Sequence, residues 1–211
     1  GNLLFYTDGS SVWNRNHVRM NNAQPLHPLT NGTGVTESTY QGTVIIPAIS
    51  SDSLYYVFSL TQSDFYSNNP SYASYGGRLF YSIIDMSLDN GLGDVAPGSK
   101  WIAIDFNLTE KMIAIPGNNC NVWLVVHDRD TNMFKAYEIT RAGVNMKPVR
   151  SYSGVHGTKL NGQRNEWHLL GQMSVSPDRS RIGYNSTRAN YSELHDFDPG
   201  QGTVSGGQIL D

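Results

Sequence analysis

One cysteine in 211 residues, only 16% charged side chains and no long apolar run set the first limits on this chain. Cys120 has no second cysteine to pair with, so an internal disulfide is excluded, and with it the cysteine framework of small eukaryotic secreted domains. That leaves an intracellular protein, or a bacterial one exported without disulfides. Scarce Lys and Glu beside abundant Asn, Ser, Thr, Gly and Tyr favour export. The formal charge of −3 comes with no basic cluster, which excludes the electrostatic footprint of a nucleic-acid binder. No stretch approaches the ~18 consecutive apolar residues of a membrane-spanning helix. A signal peptide is missing too. Gly1 leads directly into the strand-like run Asn2-Leu3-Leu4-Phe5-Tyr6, and the chain reads as a processed or excised piece that begins in mid-fold. No window holds a 3.6-residue apolar period over three turns, so no substantial helix is expected.

What the chain does have is short apolar runs separated by Gly, Asn, Asp, Ser and Pro, the pattern of an all-β fold. Several runs are apolar at consecutive positions, as in Tyr55-Tyr56-Val57-Phe58 and Val122-Trp123-Leu124-Val125-Val126. A strand apolar on both faces needs cover on both faces, which stacked sheets supply. The runs also repeat. Val44-Ile45-Ile46-Pro47, Met112-Ile113-Ala114-Ile115-Pro116 and Met173-Ser174-Val175-Ser176-Pro177 each lead through a polar turn into a second strand and then a third. Their prolines lie 69 and 61 residues apart. Pro ends the first strand of each unit because it cannot donate to the ladder.

Four antiparallel strands repeated at this interval are the signature of β-propeller blades. The expectation is a single partial propeller domain over 1–211, of about three and a half blades. Its units fall near 1–20 (the last two strands of a blade), 40–95, 108–149 and 168–211. Such a piece does not close alone. Its end blades are expected to show apolar faces, covered by the remainder of the propeller or by a partner chain.

Gly1 to Gly9 with Val12-Trp13-Asn14, Gln41 through Pro47, Tyr55 to Phe58, Tyr81 to Met86 with Gly91-Leu92-Gly93-Asp94-Val95, Asn119 to Trp123 with His127, and Leu194 to Asp198 follow one another in a specific order. In that order they resemble the N-terminal propeller-like region of large secreted Bacteroidota proteins. Such proteins often carry a C-terminal gliding-motility-type domain and leave by type IX secretion. The resemblance covers nearly the whole chain. It implies an extracellular or cell-surface location and a role in adhesion, binding or display, and it brings no catalytic residues with it.

The constellations divide into turns and candidate contact loops. Asp128-Arg129-Asp130-Thr131-Asn132 spaces oxygen ligands as a Ca²⁺ loop does, but Met133 and Ile139 stand where the loop wants Gly and an acid, so Asp128, Asp130 and Asn132 read better as a hairpin turn. Ser176-Pro177-Asp178-Arg179-Ser180 resembles the Ser-Pro-Asp turn of propellers and, more loosely, a sialidase aspartate box, which would want Gly at 180. The six histidines show no metal-ligand spacing, no nucleophile elbow is present, and no cofactor is implied. Cys120, beside a strand, reads as a packed small hydrophobe. Sequons at Asn31, Asn107, Asn185 and Asn190, and Asp52-Ser53-Leu54, are weak modification patterns.

Loop 61–77 sets Phe65, Tyr66, Tyr72 and Tyr75 among Ser, Asn and Gly, and loop 150–168 sets Tyr152 and Trp167 among Gly, Lys and Asn. Aromatics among polar neighbours suit a glycan or protein surface, although the same rings could instead pack between blades. The favoured reading is therefore a non-enzymatic secreted scaffold. Two alternatives stand beside it: a glycan-active hydrolase drawing on Asp85, Asp105 or Glu166, and a structural piece of a larger surface assembly.

Overall fold

The computed structural model describes residues 2–26, 39–63, 77–155, 168–187 and 192–210, together with the backbone of 159–160 and 163–164. These residues form an all-β protein. A 3₁₀ turn at Asp89–Gly91 is the helical element fully within the described residues. No helix among the described residues is long and apolar enough to cross a membrane.

Strands β1 (Phe5–Thr7) and β2 (Val12–Asn14) pair as an antiparallel hairpin. The first large sheet is a meander of β3 (Thr43–Pro47), β4 (Leu54–Leu60) and β5 (Leu79–Asp85), edged by β6 (Asp94–Val95) and β7 (Ile102–Asp105). The second repeats this plan with β8 (Leu108–Pro116), β9 (Val122–Asp128) and β10 (Met133–Thr140), edged by β11 (Gly143–Val144) and β12 (Val149–Tyr152). A two-stranded excursion, β13 (Lys159–Leu160) and β14 (Gln163–Arg164), precedes the third sheet. That sheet is β15 (Met173–Val175), β16 (Arg181–Asn185), β17 (Ser192–Asp198) and β18 (Thr203–Leu210), in order. Among the described residues all pairings are antiparallel, and the sheets remain separate rather than closing into one barrel.

In the first two sheets the fourth row is split in two. β6 pairs with the end of β5 and β7 with its beginning; β11 and β12 divide β10 in the same way. The interruptions fall at Pro97-Gly98 and Lys147-Pro148, where proline removes a ladder donor. The first repeat unit accordingly reaches Asp105 and the second Tyr152, beyond the limits of 95 and 149 expected from the runs.

The consecutive apolar runs of β4 and β9 are explained by cover on both faces. Tyr56, Phe58 and Leu60 of β4 meet Leu124, Val126, Tyr137 and Ile139 of the second sheet. Val57, on the opposite face, meets Val12, Met20 and Leu26 of the N-terminal segment. In β9, Trp123 and Val125 face Met173, Ile182, Tyr184 and Phe197 of the third sheet. The order of stacking is hairpin, first, second, third, and each fully buried aliphatic or aromatic side chain contributes about 1.5–3 kcal/mol.

At the far end the third sheet turns a polar face outward, not an apolar one. Ser174, Gly183, Leu194 and Ser205 lie there, with Arg181 and Asp196 paired at 3.1 Å across β16 and β17. Cys120 also departs from expectation. It is exposed, at φ +53° in the turn between β8 and β9, because the turn rather than the strand takes the residues before Val122.

Candidate functional site

The seam between the second and third sheets holds a buried polar cluster. Alternation along β17 turns Glu193, His195 and Phe197 inward together. His195 Nε2 lies 3.1 Å from Glu193 Oε2, and the hydroxyl of Ser153, just past β12, lies 2.9 Å from His195 Nδ1. The Ser153 hydroxyl and the imidazole share one hydrogen bond, whose direction follows the tautomer of the ring. Glu193 Oε1 also accepts the Val155 N–H at 2.9 Å, and Ser153 Oγ accepts the Gly207 N–H at 3.0 Å.

Hydroxyl, imidazole and carboxylate in series are the parts of an activated nucleophile. Here they are enclosed: His195 is fully buried, Glu193 is 1% and Ser153 6% exposed. Gly207 closes over them so tightly that a Cβ there would stand 2.4 Å from the Gly154 nitrogen. The arrangement fastens two sheets, and leaves a substrate carbonyl no approach to Oγ.

Lys111 of β8 lies in the same seam. Its Nζ donates to the His168 carbonyl and to the Tyr184 hydroxyl (3.1 Å), and it sits 4.3 Å from the Tyr184 ring centroid. Burial pulls this amine down to about 7. His168 is likewise held below its ordinary value, by burial first and by Lys111 second. His127 completes the cluster, its ring packed against Phe134 at 4.7 Å and Tyr184 at 4.9 Å.

The seam between the first and second sheets has its own ionic group. Lys135 Nζ lies 3.0 Å from Asp105 and 3.4 Å from Asp128, and the Tyr137 hydroxyl donates to Asp105 at 2.6 Å. Burial and that bond hold the phenol well above its usual range.

The oxygens considered for calcium diverge. Asp128 caps its own turn at Asp130 N–H and Thr131 Oγ1, both 3.0 Å, while its other oxygen faces Lys135. Asp130 accepts from Asn107 at 2.9 Å, and Asn132 donates to the Gly154 carbonyl at 2.9 Å. The cationic group that faces Asp128 is the Lys135 ammonium. Asp178 caps the Ser-Pro-Asp turn through Ser176 and Ser180, which hold it at about 2.

Asp85 and Asp105 do not form a hydrolase pair. They lie against opposite ends of β5, six residues apart at roughly 3.3 Å each, hence about 20 Å. Glycosidase carboxylates stand roughly 5 to 9.5 Å apart. Glu166 lies outside the described residues, as do Phe65, Tyr66, Tyr72, Tyr75 and Trp167. Tyr152 closes β12 opposite Met133 and is 68% exposed.

The open site is a cleft of about 490 Å³ between the hairpin tip and the first strands of two sheets, lined by Thr7, Asp8, Thr39, Tyr40, Thr43 and Met112 among others. It arises because the inner strands converge. Gln41 N–H donates to the Glu110 carbonyl at 3.1 Å, and Glu110 N–H to the Leu169 carbonyl at 2.9 Å. The Gln41 side chain spans to the third sheet, bonding the Met173 N–H at 2.7 Å and its carbonyl at 2.8 Å. Sequence reasoning did not find this cleft, since its walls come from three distant segments. The one local signal was the polar run Thr39-Tyr40-Gln41 at the start of an apolar strand.

No family model matches the chain. No curated protein matches it either. One solved structure, the hydrazine synthase of Kuenenia stuttgartiensis, aligns over 85% of this chain at 9% identity with a TM-score of 0.28. The chain spans about half of that structure, 52% of its length. A likeness this distant carries no argument about fold or chemistry.

Proposed function

We propose that the chain is a run of β-propeller blades acting as a non-enzymatic binding scaffold on a bacterial cell surface or outside the cell, as its resemblance to secreted Bacteroidota proteins implies. The observation that carries this reading is the repetition of one plan: three four-row antiparallel meanders, stacked face to face, the first strands of two of them lining a cleft with the hairpin tip. Propellers place their ligands at such inner mouths and on the connecting loops. The cleft offers a half-exposed tyrosine, Tyr40, beside the Asp8 carboxylate and the threonine hydroxyls, a mixture suited to polar, ring-containing ligands. The polar groups best placed for chemistry are instead sealed within the sheet seams.

Screening the protein on an immobilised glycan array, with Tyr40→Ala and Tyr152→Ala beside it, tests the reading. Saturable binding that is weakened in at least one variant supports it. Steady turnover of chromogenic glycosides, with no saturable binding, overturns it.

A further inference from the structure

The outward face of the N-terminal hairpin carries a second set of side chains, Tyr6 and Arg19 exposed and Trp13 half-buried between them, and register places them in one row. Tyr6 of β1 stands opposite Trp13 of β2, and Trp13 stands opposite Arg19 across an isolated antiparallel bridge. Cross-strand partners share a face, so all three side chains lie on the side turned away from the first sheet. The Tyr6 and Trp13 rings are nearly parallel, 11° apart with centroids at 5.5 Å. His17 extends the row, its Nδ1 3.2 Å from the Tyr6 hydroxyl, and is held at φ +61°, a backbone region that non-glycine residues rarely occupy.

The hairpin segment has a formal charge opposite in sign to that of the whole chain. Residues 2–20 contain Arg15 and Arg19 against the single carboxylate of Asp8, which lies at the hairpin tip, whereas the whole chain is at −3. Arg15 is turned onto the Gly91 carbonyl. Arg19 is exposed and has no ion-pair partner among the described residues. The two rings stack on one another, so each covers part of one face of its partner; an outer, electron-rich face of the pair suits polarised C–H bonds, which the C–H face of a sugar ring supplies. The guanidinium at the end of the row supplies a bidentate site for a carboxylate.

We propose that Tyr6, Trp13 and Arg19 form a binding row for an acidic polysaccharide, with a sugar ring on the aromatic pair and a uronate carboxylate on Arg19. The inference deepens the reading of the chain as a binding scaffold and rests on it, while naming a face distinct from the axial cleft.

Calorimetric titration of the intact protein with polygalacturonate and with a neutral β-glucan, at low and moderate salt, tests it. Polygalacturonate is expected to bind, more weakly as salt rises, and the neutral glucan at least about tenfold more weakly. Trp13→Ala is expected to weaken polygalacturonate binding about tenfold, the scale of an aromatic anchor. Arg19→Gln, at an exposed position that leaves the fold intact, is expected to remove most of the preference for the acidic polymer. Equal binding of both polymers, or an Arg19→Gln variant indistinguishable from the wild type, overturns the inference. So does concentration-dependent dimerisation that Trp13→Ala abolishes, which would give the face to a second copy of the chain. If glycan binding survives both hairpin substitutions but is lost in Tyr40→Ala, the scaffold reading stands and this inference falls. If the wild type binds no glycan, both fall.

Discussion

The hydroxyl of Ser153 lies 2.9 Å from Nδ1 of His195, though 42 residues and a sheet boundary separate the two. Ser153→Ala removes the partner of both His195 and the Gly207 N–H inside a closed seam. Two stranded polar groups at this depth cost roughly 1–3 kcal/mol. Urea unfolding is expected to show stability reduced by that amount, as a lower midpoint with an unchanged slope. A midpoint equal to wild type would mean that the seam does not depend on this contact.

Lys111 makes stability depend on pH in a defined direction. Its folded value of about 7 lies below the ordinary 10.5, so between these limits the unfolded chain binds the extra proton. Stability is expected to rise as pH increases from about 7 toward 10.5. His168, held below 6.5, adds a further loss as pH falls through that value. Lys111→Met should flatten the alkaline limb while keeping the larger part of the acid limb, since burial is the first cause of the His168 shift and Lys111 the second, read from urea midpoints across the range. A slope unchanged by the substitution would assign it to other groups.

Lys135 serves two carboxylates, the buried Asp128 and the partly buried Asp105. Lys135→Ala leaves both uncompensated, and removing one partner from a buried ionic group costs roughly 3–5 kcal/mol. Thermal unfolding should fall accordingly, and replacing Asp105 with Asn in the same chain should recover part of the loss. No recovery would argue that the damage is a packing void rather than charge.

Gly202 sits at φ +69°, and a Cβ there would lie 2.6 Å from the Trp123 ring. Gly202→Ala combines a disfavoured backbone with a collision against a buried indole, whose N–H already donates to the Pro199 carbonyl at 2.9 Å. A destabilisation of about 1–3 kcal/mol is expected, together with altered near-ultraviolet dichroism of the tryptophans. An unchanged spectrum would show that the ring has room to move.

Cys120 is exposed and unpaired. A disulfide exchange reagent such as Ellman's is expected to titrate one thiol per chain in the native protein, without denaturant. Reaction that requires unfolding would return Cys120 to the packed position its sequence neighbours suggest.

The repeat was legible because two-sided burial leaves a local trace. Tyr55 to Phe58 and Val122 to Val126 are apolar without alternation, and only facing sheets on both sides satisfy them. The turns were legible for a similar reason, since Asp128 and Asp178 cap their own loops through residues two or three positions away. The seam clusters were not. Ser153, Glu193 and Lys111 meet only through the stacking of whole sheets, and Glu193-Leu194-His195 looks like any polar-flanked strand. Proline splits the outer row at positions 97 and 148, but nothing nearby shows that the chain resumes the same edge afterwards.

The Gln41 amide reaches past the second sheet to both backbone groups of Met173. One side chain therefore ties the first member of the series to the third. Tilting the third sheet away from the first costs both of these bonds, a restraint that the packing of immediate neighbours alone would not supply.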